Sequence, residues 1–152
     1  EYRRQRQMCI RDRAASKAAE AAVMSCRQKG YAVSATVVNS EGAIQAVLRG
    51  DGSPPHTLEN SFNKAYTAIS LGPIQNLDST TKIYESMKMN PGTGTWPLPP
   101  SPIRGFTFSS GGIALVINDE YVGAIGVSGA PKGAIDEGCA LQGRAAAMTA
   151  LP

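Results

Sequence analysis

Histidine is almost absent from this 152-residue chain: His56 stands alone. A metal centre built from several imidazoles is therefore excluded. The three cysteines, Cys9, Cys26 and Cys139, show no CxxC or Cys/His spacing that would supply one instead. No run approaches the roughly 18–20 apolar residues of a membrane-spanning helix. GxxxxGK[ST] is missing, so there is no P-loop. Net charge is missing from the body of the chain as well. The formal +3 lies in residues 1–13, EYRRQRQMCIRDR, where five Arg face Glu1 and Asp12; the other 139 residues hold ten basic and ten acidic side chains. A nucleic-acid surface needs its excess basic charge on the folded domain, so the expected partners include no nucleic acid and no membrane span.

The charged start lacks the apolar core of a signal peptide. Its QMCIRDR string resembles translated sequencing-adapter sequence of the kind met in metagenomic reads. Residues 1–13 are accordingly expected to be a non-native or disordered tail, with residues 14–152 forming a single domain. A true leader would then be out of view. Outside the tail, Cys26 and Cys139 are either two buried thiols or one disulfide between helices at opposite ends of the chain.

Residues 14–29 are rich in strong helix formers, with Gly30 as a stop. Tyr31–Val38 alternates and is β-branched, Asn39–Gly42 turns, and Ala43–Arg49 returns as the second strand of a hairpin. A helix over Thr57–Ser70, capped by Thr57, carries Leu58, Phe62, Ala65 and Ile69 on its apolar face and ends at Gly72-Pro73. A more polar helix runs from Asp78 or Ser79 to about Met89. Asn90–Gly105 contains five of the ten prolines and reads as a long loop, a lid or ligand wall. Short strands at Phe106–Phe108, Ile113–Ile117 and Tyr121–Gly129 precede a last helix from Asp136 to about Ala150. Hairpin-linked strands with helices around them predict an α+β domain with an antiparallel sheet of about five strands.

Gly123, Gly126 and Gly129 fall inside a strand, which argues against a dinucleotide fingerprint and for close approach by another backbone or a flat ligand. Ser128 in GVSG and Ser109-Ser110 do not fit GxSxG. Asp119-Glu120 reads as a solvated hairpin tip. Asp136-Glu137 suits the start of the last helix. His56 is the remaining candidate, just before a helix whose first amides can accept an anion. A single imidazole can be a general base or an axial ligand to haem iron, or can merely pack its loop. Arg49, Lys64 and Arg104 are the basic residues considered for the same anion.

Two segments carry a family resemblance: VVNSEGAIQAVLRGDGSPPHTLENSFNKAYTA and VGAIGVSGAP. They are similar to the signature blocks of the GlcG/HbpS family, "VVD-x-x-G … R-x-DG-x-P-x-x … KAYTA" and "V-x-GAIGVSG". With SCRQKGY and DEGCA the likeness spans about residues 16–150. It implies a profilin-like sandwich that assembles as a homo-oligomer, with haem binding or haem degradation in several members. It also favours a Cys26–Cys139 disulfide and a periplasmic or secreted location over a cytoplasmic one. The chain departs from the family where many relatives have a short "GGG-x-P" segment and this one has TWPLPPSPIRGFTFSSGG.

The resemblance therefore predicts a haem cofactor, with His56 as iron ligand and Arg49 and Lys64 near the propionates. Tyr66 and Tyr84 are phenolate alternatives. The competing readings are a cofactor-free enzyme on a small oxygenated or carboxylate metabolite, with His56 as general base, and an oligomeric scaffold or accessory module.

Overall fold

A run of alanines opens the fold in the computed structural model, which describes residues 10–89 and 103–150. Helix α1 (Asp12–Gln28) buries Ala14, Ala15, Ala18, Ala19, Ala22, Val23 and Cys26 along one stripe. It starts two residues before the expected boundary. Ile10, just before it, is only 3% exposed and donates its backbone N–H to the Val122 carbonyl at 2.8 Å. The expected tail otherwise falls on residues 1–9, outside the described residues. Strands β1 (Ser34–Asn39) and β2 (Ile44–Arg49) form the anticipated hairpin. Helices α2 (Thr57–Gln75) and α3 (Thr80–Met89) follow, then β3 (Gly112–Ile117), β4 (Glu120–Ser128) and α4 (Gly133–Thr149).

The strands make one antiparallel sheet in the order β2-β1-β4-β3. The fold is α+β, with four strands among the described residues where about five were expected. Phe106–Phe108 does not join the sheet. The Thr107 N–H there bonds the Thr67 hydroxyl of α2 instead of a neighbouring strand. Helix α4 begins at Gly133, three residues earlier than predicted.

Helices α1 and α4 cover one face of the sheet. Ala35, Val37, Ile113, Leu115, Ile125 and Val127 meet α1 and α4 residues there in the main apolar core. Small side chains let the two helices touch closely: a Cβ on Gly143 would stand 2.7 Å from the Ala18 carbonyl oxygen. Cys26 and Cys139 are joined across this contact, their Cα atoms 5.7 Å apart.

Helix α2 covers the other face, lying over β1 and β4. A Cβ on Gly126 would run into the Ser61 carbonyl and reach 2.6 Å from the Ala65 nitrogen, so the helix backbone rests almost on the strand. This is the close backbone approach anticipated for the strand glycines. The helix continues through Gly72-Pro73, the expected stop, to Gln75, and ends where Asn76 turns left-handed at φ 56°. The Tyr121 hydroxyl sits 2.8 Å from the Leu77 carbonyl oxygen and 3.2 Å from that of Gly72, tying down the turn beyond the proline. No helix among the described residues is long and apolar enough to cross a membrane.

Candidate functional site

The loop from Gly50 to His56 is pinned from below by hydroxyls. Ser34 Oγ on β1 lies 3.1 Å from Ser53 Oγ and 2.9 Å from Thr57 Oγ1, and all three residues are buried. Thr57 donates its hydroxyl to the Pro54 carbonyl at 2.6 Å. Its side chain therefore closes the loop from within α2, and His56, not Thr57, occupies the cap position. His56 has helical φ and makes no side-chain capping bond. The ring stands exposed at the helix start. Arg49 is exposed too and donates from Nη2 to the Ser53 carbonyl at 2.8 Å, so it braces the loop that presents His56.

Strand register shows what lies beside this loop. Opposed residues of neighbouring strands share a face. Arg49, Val47 and Ile44 pair with Ser34, Thr36 and Val38, which face α2; Leu48 and Ala46 pair with Ala35 and Val37 on the α1 side. One flank of α2 leans over β4, where Asn60 donates to Ser128 Oγ at 2.8 Å and Lys64 to the Val127 carbonyl at 2.8 Å. The opposite flank, carrying Leu58, Phe62 and Tyr66 at four-residue spacing, therefore runs above the β2 side. Tyr66 confirms it: a Cβ on Gly42, in the β1–β2 turn, would stand 2.9 Å from its ring.

An open apolar shelf results. Its floor is Ile44 and Val47, 56% and 45% exposed, and its wall is Leu58, 39% exposed, with half-buried Phe62 and Tyr66. Arg49 and His56 close one end. Tyr66 marks the other, set between Phe62 and Phe106 in tilted ring contacts with centroids 5.5 and 5.9 Å away. Tyr66 lies ten residue steps beyond His56, about 15 Å along the axis.

Of the predicted site residues, His56, Arg49 and Tyr66 thus border one surface, and Arg104 adjoins Gly105, which packs on the Tyr66 ring. Lys64 does not face it. Its ammonium is buried beneath α2, 3.0 Å from Asp136 Oδ2, with the two side chains 3% and 5% exposed. It cannot meet an anion on the shelf while it neutralises Asp136. Tyr84 lies exposed on α3, away from the loop. The proline-rich lid falls mainly on residues 90–102, outside the described residues.

Asp136 keeps its expected place in the first turn of the last helix and in addition pairs with Lys64. Burial pushes its carboxyl above the usual range, by more than the Lys64 charge, the Ala130 N–H and the Lys64 hydrogen bond pull it down. Ser128 is buried, and its Oγ accepts the Asn60 amide. No cluster of three or more His, Cys, Asp or Glu able to hold a metal ion occurs among the described residues. The shelf residues Ile44, Val47 and Leu58 were missed from the sequence, where they read only as strand and helix apolar positions. The available signal was that β2 is apolar on both parities, an odd pattern for a strand that ends at an edge.

A family model described as "Haem degrading protein HbpS-like" matches residues 10–145. Among solved structures, an HbpS double mutant from Streptomyces reticuli is 34% identical, with a TM-score of 0.75, over 90% of this chain and 86% of that one. Klebsiella pneumoniae ORFY is 26% identical, with a TM-score of 0.78, over 94% and 92% of the two chains. A PduOC–heme complex shares the fold at 22% identity, with a TM-score of 0.72, over 86% and 88%. Comparison with curated proteins gives no match.

Proposed function

The chain belongs to the HbpS-like family, and from that premise we propose that it binds haem on the α2–β2 shelf and sequesters or degrades it. The observation that carries this reading is the pairing of an exposed apolar shelf with an uncommitted imidazole beside it. Ile44, Val47, Leu58 and Phe62 offer area to a planar apolar ring, and Arg49 offers a guanidinium to a carboxylate. His56 is the ligand for the iron, because it is exposed beside the shelf and makes no capping bond. Tyr66 serves as a wall residue, and Lys64 as a structural cation.

Bound haem would supply an iron centre. The chain's own part is to hold the ring, orient it through His56 and Arg49, and keep water from the apolar side. The reading includes assembly as a homo-oligomer and export to an oxidising compartment, the latter supported by the Cys26–Cys139 bond.

Hemin titration followed at the Soret band tests it. The wild type should give a saturable shifted band, and His56→Ala should change its position. Arg49→Ala should keep the band position but weaken binding about tenfold, or ~1.4 kcal/mol. Identical spectra for wild type and His56→Ala would remove His56 as ligand; no saturable band in the wild type would remove haem.

A further inference from the structure

The two edges of the sheet are finished differently. At the β3 edge, Ser79 bridges Ile113, Ala114 donates to the Asp78 carbonyl at 2.7 Å, and Gly112 donates to Thr80 Oγ1 at 3.1 Å. The segment leading into α3 thus occupies that edge. β2 has no strand beyond it among the described residues. An open edge presents unpaired backbone N–H and C=O groups, and monomeric proteins guard it with Lys, Pro or inward charges. β2 reads IQAVLR, without lysine or proline, and exposes Ile44, Val47 and Leu48 by 56%, 45% and 38%.

The edge is guarded in part: Arg49 charges one end, Arg13, Lys17 and Glu20 of α1 lie beside Gln45–Val47, and a bulge limits where pairing can occur. The β1–β2 register slips between Val37 and Val38, leaving Gln45 as the extra residue of a bulge, and the Gln45 amide is tied to the Ile10 carbonyl at 3.3 Å. A bulge ends regular pairing. Ala46 to Arg49 remain regular.

We infer that this edge pairs with the β2 edge of a second copy, antiparallel about a two-fold axis through Val47. This deepens the homo-oligomer part of the proposed function and rests on it. Three features select a second copy over a foreign strand. Paired residues must share a face, and centring on Val47 sets Val47 against itself on the α2 side and Ala46 against Leu48 on the α1 side. Every pair inside the bulge is then apolar. The strand is also charge-polar, with Glu41 before it and Arg49 at its end. Antiparallel self-pairing turns the Arg49 end of one copy toward the Glu41 end of the other and keeps the two guanidiniums apart. Finally, the two-fold is isologous and closes at two copies, so the edge is used up without open-ended strand addition. The second copy's strand would also bound the outer side of the shelf, where a single copy leaves it open.

The mass of the hemin-free protein in solution tests this, so a failure of haem binding leaves the result untouched. Val47→Lys sets two like charges across the axis and should at least halve the assembly mass. Ile74→Lys, at a 63% exposed position near the end of α2, should leave it unchanged. Should Val47→Lys disturb folding, Val47→Cys on a Cys9→Ser background decides. Directly opposed strand residues have Cα atoms about 4.5–5.5 Å apart, within disulfide reach, so oxidation should give a covalent dimer that a reductant dissolves. A wild-type monomer, or an unchanged mass for Val47→Lys together with no Val47→Cys cross-link, overturns the proposal.

Discussion

The two faces of the sheet are held by different balances of chemistry. Under α1 and α4, alternate strand residues are Ala, Val, Ile and Leu, and the two helices are bonded through Cys26–Cys139. Under α2, the same strands present Ser34, Thr36, Ala124, Gly126 and Ser128. The helix answers with hydroxyls, Asn60 and a buried ammonium, beside a small apolar cluster of Val38, Ala65, Ala68, Ile69 and Ala124. On the apolar face burial is non-directional, and close packing of small residues with the disulfide sets the helices. A face of hydrogen bonds sets the helix in one place: Thr36 Oγ1 and Ser61 Oγ lie 2.8 Å apart, and Lys64 reaches both Val127 and Asp136. The candidate site hangs on that second face. His56 stands at the start of the helix that the polar contacts position, so precision lies where a ligand would need it.

The largest test of this contrast removes the disulfide. Its cysteines are 113 residues apart, and on a chain-entropy account such a loop contributes about 4–5 kcal/mol. Cys26→Ser with Cys139→Ser should lower urea-unfolding stability by about that amount, on the α1–α4 face. The next test breaks the polar face. Asp136→Asn leaves the Lys64 ammonium buried without its counter-charge and should cost about 3–5 kcal/mol. Lys64→Met with Asp136→Leu should recover most of the loss, since an apolar pair needs no partner. A double variant no more stable than Asp136→Asn would mean that the ion pair holds the face in some further way.

The smallest effect is in pH dependence. Burial pushes the Asp78 carboxyl up, but hydrogen bonds and charge from Lys82 and Arg144 together bring it below the usual range. Its stabilisation is therefore present above the ordinary carboxylate pKa and lost as pH falls through the lower folded value. Asp78→Asn should flatten the acid side of a stability–pH curve by less than about 1 kcal/mol, because this pair is partly solvated.

Much of the fold was legible in the sequence because its signals are local. The β1–β2 hairpin followed from alternation around Asn39–Gly42, and the close approach at Gly126 followed from glycine inside a strand. What could not be read depends on distant partners. Phe106–Phe108 has strand composition, but the Thr67 hydroxyl takes the Thr107 N–H. Pro73 carries a stop signal that Tyr121, 48 residues onward, helps to override. Asp136 was legible as a helix-start residue, and only three-dimensional contact makes it the partner of Lys64. At the candidate site, His56 and Arg49 were legible as chemistry near one loop. The shelf between α2 and β2 was not, because it depends on which flank of a helix lies over which strand.

The bond between Cys26 and Cys139 has one more consequence, for chain integrity. It encloses every strand among the described residues, together with α2 and α3, in one covalent loop. A single backbone cut anywhere between those cysteines would open the loop without releasing a fragment. The nicked protein would keep its full mass until a reductant separated the pieces. Survival after such a cut therefore depends on the redox state of the surroundings as well as on the packing.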